Sequence, residues 1–174
     1  LLNGGKVAGI LLESVGAGLG PAGILSSASS AGKTAHVGEG FLIFENRTLR
    51  SLAGLQNLAF VGGGLSIVNN HSLGSLAALE RLQRIDGSLD IWFNGALASL
   101  AGLQNLVSVR DFLEVSGNGL LASLDGLRSV AYVGADVIVS NNALLPDSAV
   151  EMFVERMVAD GFSGAVVVEG NLAD

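Results

Sequence analysis

The sequence predicts an α/β solenoid, a stack of coils that pairs short parallel strands and closes with one C-terminal helix. Three observations predict it. Asparagine recurs every 24 residues, at Asn46, Asn70, Asn94, Asn118 and Asn142. The apolar positions around each Asn keep the same step, with no insertion or deletion over about a hundred residues. After Asn142 the apolar spacing changes to that of a helix.

Each unit reads directly. Before the Asn, the pairs Phe41/Ile43, Leu65/Ile67, Leu89/Ile91, Leu113/Val115 and Val137/Val139 alternate with less apolar residues. That is the period of a half-buried strand. Copies one unit apart must pair in parallel, about 4.8 Å from each other. Further upstream, Val37, Val61, Ile85, Val109 and Val133 add an inward position. After the Asn, leucine recurs every third residue, as in Leu73, Leu76, Leu79 and Leu82. A period of three suits short 3₁₀ turns better than an α-helix. The repeat therefore places one Leu/Ile/Val core along the whole stack.

An unpaired amide in that core costs about 1–3 kcal/mol. Stacking resolves the cost if each Asn bonds the backbone of the adjoining coil. The expected ladder runs through Asn46, Asn70, Asn94, Asn118, Asn142 and Asn171. Asn94→Ala should then destabilise strongly, whereas Asn69→Ala should not.

The repeats SLAGLQNLAFVGGGLSIVNN, SLAALERLQRIDGSLDIWFN, SLAGLQNLVSVRDFLEVSGN and SLDGLRSVAYVGADVIVSNN share the unit V-x-G-x-L-x-I-x-x-N-x-x-L-x-S-L-x-G-L-x-N-L. This unit resembles the receptor L-domain type of leucine-rich repeat, over residues 37–171. That family includes bacterial secreted repeat proteins and, more distantly, the L domains of insulin- and epidermal-growth-factor-type receptors. The resemblance implies a right-handed leucine-rich-repeat solenoid, a recognition role and an extracellular or cell-surface location. It transfers no ligand, because the receptor-binding residues form no motif that maps onto this chain. Similar bacterial proteins often bracket their last helix with a Cys pair; Ser148 and Glu169 stand at those places here.

Residues 1–36 read as a degenerate N-terminal coil or cap. Counting back one unit puts Ala22 in the Asn position and Leu25, Ala28, Ala31 and Thr34 on the Leu positions. Val7–Val15 reads as a strand or a short helix. Gly18, Gly20 and Gly23 spell G-x-G-x-x-G, but Pro21 interrupts the motif and no acidic ribose partner follows. Gly32-Lys33-Thr34 ends like a phosphate loop, with Ser27 where the leading Gly belongs. A chain that opens at Leu1 reads as a fragment or a processed product, so a missing signal peptide carries no weight. At the other end, a helix is expected at about 148–160. Ser148 with Glu151 forms its capping box, Val150, Phe153, Val154, Met157 and Val158 its apolar face, and Gly161 its stop. Val166, Val168 and Asn171 rejoin the repeat.

Composition narrows the function. The net charge is −7 and the nine basic residues are scattered singly, so no basic patch meets nucleic acid. The absence of Cys excludes disulfides and thiolate chemistry. No apolar run reaches the length of a membrane span. Neither a metal nor a cofactor is expected, since His36 and His71 fall in different phases of the unit. The sequons at Asn46 and Asn70 sit on the inward ladder, where a glycan cannot attach in the folded state.

What remains is the outward strand face. One row carries Leu42, Ser66, Asp90, Glu114 and Ile138, the next Phe44, Val68, Trp92, Ser116 and Ser140. Asp90 and Glu114 become neighbouring carboxylates, most simply two solvated acids. Phe44, Val68 and Trp92 become an exposed apolar stripe, the kind of patch that marks partner sites. The expected function is non-catalytic recognition of a protein or glycan through Phe44, Val68, Asp90, Trp92 and Glu114. A purely structural spacer is the alternative, with the stripe covered. Glycan hydrolysis at Asp90 and Glu114 is disfavoured for want of an enclosing pocket.

Overall fold

The computed structural model of the chain describes residues 7–10, 35–38 and 40–174. In chain order the strands are β1 Val7–Ile10, β2 Ala35–Val37, β3 Gly40–Phe44, β4 Leu58–Val61, β5 Leu65–Val68 and β6 Arg84–Ile85. They continue with β7 Leu89–Trp92, β8 Ser108–Val109, β9 Leu113–Ser116, β10 Tyr132–Val133 and β11 Val137–Ser140. Helix α1 spans Asp147–Ala159 and β12 Val166–Glu169. The chain is a parallel-strand solenoid with a C-terminal helix.

Its long sheet has the order β1-β3-β5-β7-β9-β11-β12. From β3 to β11 every pairing keeps the 24-residue offset, as in Leu65 against Leu89 and Leu89 against Leu113. The last coil is longer, because α1 lies within it and Val137 meets Val166. At the other end Val7 faces Gly40, an offset of 33 residues (40 − 7), not the 24 that the repeat suggested. The stretch read as strand or short helix thus contains a strand, and its coil carries an insertion. The positions assigned to that coil at 22, 25, 28, 31 and 34, and the glycine motifs at 18–23 and 32–34, lie outside the described residues.

A second sheet, β10-β8-β6-β4-β2, runs along another side of the stack. The repeat reading gave it no strand. The signal lay in residue type: the column is Val37, Val61, Ile85, Val109 and Val133 in the sequence, β-branched throughout, while the spine after the Asn is mostly Leu.

The Leu spine folds as its spacing demands. Short 3₁₀ turns form at Ala77–Leu79 and Asp125–Leu127. Even where no 3₁₀ segment is present, the bonding is of that kind. The N–H groups of Leu97, Leu103 and Leu106 donate to the carbonyls of Asn94, Leu100 and Leu103 at 2.9–3.1 Å. Leu73, Leu76, Leu79 and Leu82, with their copies one coil on, are fully buried. The core is one continuous column rather than a set of separate clusters.

The ladder holds each bend. Asn70 Nδ2 donates to Ile43 O of the preceding coil (2.9 Å) and to its own Val68 O (3.0 Å). Its Oδ1 accepts from Asn46 N–H (3.1 Å) and Asn46 Nδ2 (2.9 Å). Asn94, Asn118 and Asn142 repeat the pattern, and Asn171 Nδ2 closes it on Val139 O at 3.0 Å. Asn46 Oδ1, at the first rung, is buried without a partner.

The residue before each ladder Asn also has a fixed task. Glu45, Asn69, Phe93 and Asn141 take φ of 54–57°, and Gly117 and Gly170 take 69° and 65°. This left-handed residue turns the chain out of the strand. Asn69→Ala therefore carries a modest cost of about 1 kcal/mol, from this backbone conformation alone.

Helix α1 buries Val150, Phe153 and Met157, while Val158 is 56% exposed and does not join the buried face. Ser148 lies inside the first turn, so the expected box with Glu151 does not form and no side chain of the helix start caps it. The C-terminal tail supplies the cap instead. Asp147 N–H donates to Leu172 O (2.9 Å) and Ser148 N–H to Asp174 Oδ2 (3.0 Å). At the far end Gly161, with φ of 98°, and Phe162 return N–H bonds to Val158 O and Met157 O, the double closure that a C-terminal glycine permits.

Candidate functional site

The long sheet shows its outer face along two rows. Leu42, Ser66, Asp90, Glu114 and Ile138 stand in register on successive strands, and so do Phe44, Val68, Trp92, Ser116 and Ser140. All five residues singled out from the sequence, Phe44, Val68, Asp90, Trp92 and Glu114, lie on this face. It is less open than expected. Phe44, Val68 and Trp92 are half-buried, and Ser116 and Ser140 are each only 7% exposed.

The acids are not freely solvated. Ser66 Oγ donates to Asp90 Oδ2 at 2.7 Å. Ser116 Oγ donates to Glu114 Oε1 (3.0 Å) and accepts from Ser140 Oγ (3.0 Å), which in turn accepts from Asn141 Nδ2 (3.3 Å). Among the described residues, each carboxylate keeps one oxygen that takes no protein hydrogen bond. The ion pairs among the described residues gather elsewhere, at Asp86, where Arg84 and Arg110 meet one carboxylate.

Burial raises the pKa of Asp90, and the bond from Ser66 only partly offsets it. Burial likewise raises Glu114; Ser116 opposes the shift and the charge on Asp90 adds to it. Groups raised in the folded state bind protons more readily there than in the unfolded chain. Their stabilising contribution is complete below the ordinary carboxylate pKa and is lost as pH rises through the raised values. Asp86 behaves oppositely. Its hydrogen bond from Arg84, with the charges of Arg110 and Arg84, lowers its pKa, so its contribution is present at neutral pH and lost on acidification.

Two aromatic residues follow Asp90, Trp92 at the end of β7 and Phe93 just after it. Trp92 Nε1 is buried and has no hydrogen-bond partner. Phe93 is the residue that sequence reasoning missed. It holds the left-handed position with φ of 54°, is 52% exposed, and lays its ring over Gly117 of the next coil. A bulky residue in that conformation is strained by about 1–2 kcal/mol, and strain of this kind gathers at functional sites. The signal was legible, because Asn and Gly occupy most of the other left-handed positions. One and two coils further on, Leu120 and Leu144 are 49% and 48% exposed, where the earlier coils carry Thr48, Ser72 and Ala96.

Other chemistry finds little support. Asn46 and Asn70, the sequon residues, are 3% and 0% exposed. Among the described residues no group of three or more His, Cys, Asp or Glu converges on one point. A cleft of about 370 Å³ on the Leu-spine side, between Ser99, Gln104, Ser123, Asp125 and Arg128, is open and holds no paired acid and base. No described helix is long and apolar enough to cross a membrane. Searches of family models, of curated proteins and of solved structures found no match to this chain.

Proposed function

We propose that the chain is a non-catalytic recognition module that binds its ligand on the outer face of the long sheet. One observation carries this reading. Asp90 and Glu114 stand side by side, partly desolvated, with no basic partner among the described residues. A spacer gains nothing from such a pair, because desolvated charge without a counter-charge costs stability. Sites that trade stability for binding look like this. The resemblance to receptor L-domain repeats fits the same role and suggests a secreted or cell-surface protein with a protein or glycan ligand. An enzyme fits less well, for among the described residues no third His, Cys, Asp or Glu joins the two carboxylates.

Immobilised panels of peptides and of glycans test the reading, with the native chain compared to Trp92→Ala and Trp92→Phe. Melting curves first establish that each variant is folded. Capture by the native chain should fall at least tenfold in Trp92→Ala and partly recover in Trp92→Phe. Equal capture by all three would leave the spacer as the better account.

A further inference from the structure

We infer that the open edge of β12 takes a further strand from a partner protein, an extended segment with apolar side chains turned inward and basic ones turned outward. The edge lies three strands along the sheet from the strand of Asp90, so this inference and the recognition reading above fail separately.

The edge is unfinished. β12 pairs with β11 on one side, and among the described residues no strand follows it on the other. Ala165 and Glu169 turn their carbonyls to β11, accepting from the N–H groups of Val137 and Asn141 at 2.9 and 2.8 Å. Alternate residues of a strand in a parallel sheet bond opposite neighbours. Val166 and Val168 therefore turn N–H and C=O to the open side. Their side chains stand in the inward columns, in register with Val137 and Val139. Those two are 0% exposed, whereas Val166 and Val168 are 37% and 38% exposed. The ladder stops at the same edge. Each earlier Asn donates its N–H to Oδ1 of the next rung, and among the described residues Asn171 has no next rung.

Proteins guard an edge of this kind with charge, proline or a bulge. The run from Ala165 to Val168 has no charge and no proline, and its pairing with β11 has no bulge. Such an edge accepts an extended peptide as a new strand, with affinity from backbone bonds and selectivity from alternate side chains.

Charge selects the occupant. From residue 129 to residue 174 the chain has seven acidic side chains and one basic one, Arg156. Arg156 turns back along the stack, donating from Nη2 to Leu127 O of the preceding coil at 3.0 Å. This end of the solenoid therefore repels a copy of itself across the edge and attracts a basic segment. Exposed Glu169 follows Ser140 in the outward column. A lysine or arginine on the added strand would stand about 5 Å further along that column, the spacing of paired strands.

Amide hydrogen exchange reads the edge residue by residue. In the free chain Val166 and Val168 should exchange at least tenfold faster than Val167 and Glu169, which face β11. The probe is a capped Lys-Val-Thr-Val-Lys peptide, compared with Glu-Val-Thr-Val-Glu and with Lys-Pro-Pro-Pro-Lys, which lacks the three central N–H groups. The first peptide should slow exchange at Val166 and Val168 at least fivefold and bind at least tenfold more tightly than either of the others. In Glu169→Lys, a change at an exposed side chain, its advantage over the glutamate peptide should shrink at least threefold. No slowing at Val166 and Val168 would overturn the inference. Equal binding of either comparison peptide, or an advantage unchanged in Glu169→Lys, would do the same. If both amides are protected in the free chain and lose that protection on dilution, a second copy fills the edge and the partner strand is wrong.

Discussion

Replacing Asn94 with alanine is expected to cost about 3–5 kcal/mol, enough to unfold many domains of this size. Asn94 Nδ2 donates to Ile67 O at 2.9 Å, and its Oδ1 accepts the N–H of Asn70 at 3.1 Å. Alanine leaves the Asn70 N–H buried and unpaired, at about 1–3 kcal/mol, and strips Ile67 O of its side-chain donor. It also opens a gap between two rungs that are 0% exposed, so no water enters to compensate. Asn69→Ala serves as the comparison. Asn69 makes no ladder bond, and its loss should be about 1 kcal/mol, from the left-handed backbone alone. Urea unfolding of the two variants separates the effects. Equal losses would mean that the ladder contributes no more than an ordinary surface turn.

The second large effect is expected from Gly102→Ala. Four coils align at this point, with Gly54, Ala78, Gly102 and Gly126 in the same register. Since alanine already occupies it at Ala78, the repeat alone makes the exchange look harmless. The structure says otherwise. Gly102 has φ of 117°, a conformation that any Cβ strains, and an added Cβ would run into the backbone carbonyl of Leu76 in the coil before. Ala78, within a 3₁₀ turn, does not take the positive φ of Gly102. The expected loss is about 2–4 kcal/mol. Gly119→Ala is the control: its added Cβ meets nothing within 4 Å, and it should change stability by less than about 0.5 kcal/mol. Melting temperatures that fall equally for both would remove the steric argument.

These cases show what the sequence makes legible. A strict period fixes contacts between coils, because each residue meets its own copy one step away. The strand alternation, the spacing of Leu73 to Leu82 and the ladder from Asn46 to Asn171 are of that kind. What escapes the period is anything that varies within a column. Gly102 and Ala78 share a register and differ in backbone. Phe93 shares its column with Asn69 and Gly117, a cue in residue type whose meaning the left-handed angle supplies. The second sheet was hidden for another reason: its strands are mostly two residues long, too short for alternation to show. At the helix start, Ser148 and Glu151 match a capping pattern, but Asp174, 26 residues away, takes the backbone N–H instead. Distant residues can satisfy a local demand, and no local pattern records it.

The candidate site was legible only in outline. The rows of the outer face follow from the register, and so does the pairing of Asp90 with Glu114. Their burial does not follow, since it depends on how far neighbouring side chains lean over the face. Burial turns two ordinary acids into a pair held at a cost, and recognition is the reason proposed for keeping them.

That cost can be measured without any ligand. Urea unfolding of the Asp90→Asn/Glu114→Gln variant beside the native chain, at neutral pH and again within the carboxylate range, tests it most directly. At neutral pH the variant should be the more stable of the two. The gap should close on acidification, as Asp90 and Glu114 take up protons in the native chain. A variant less stable than the native chain at neutral pH would show that the two acids support the fold, and would contradict their assignment to a binding face.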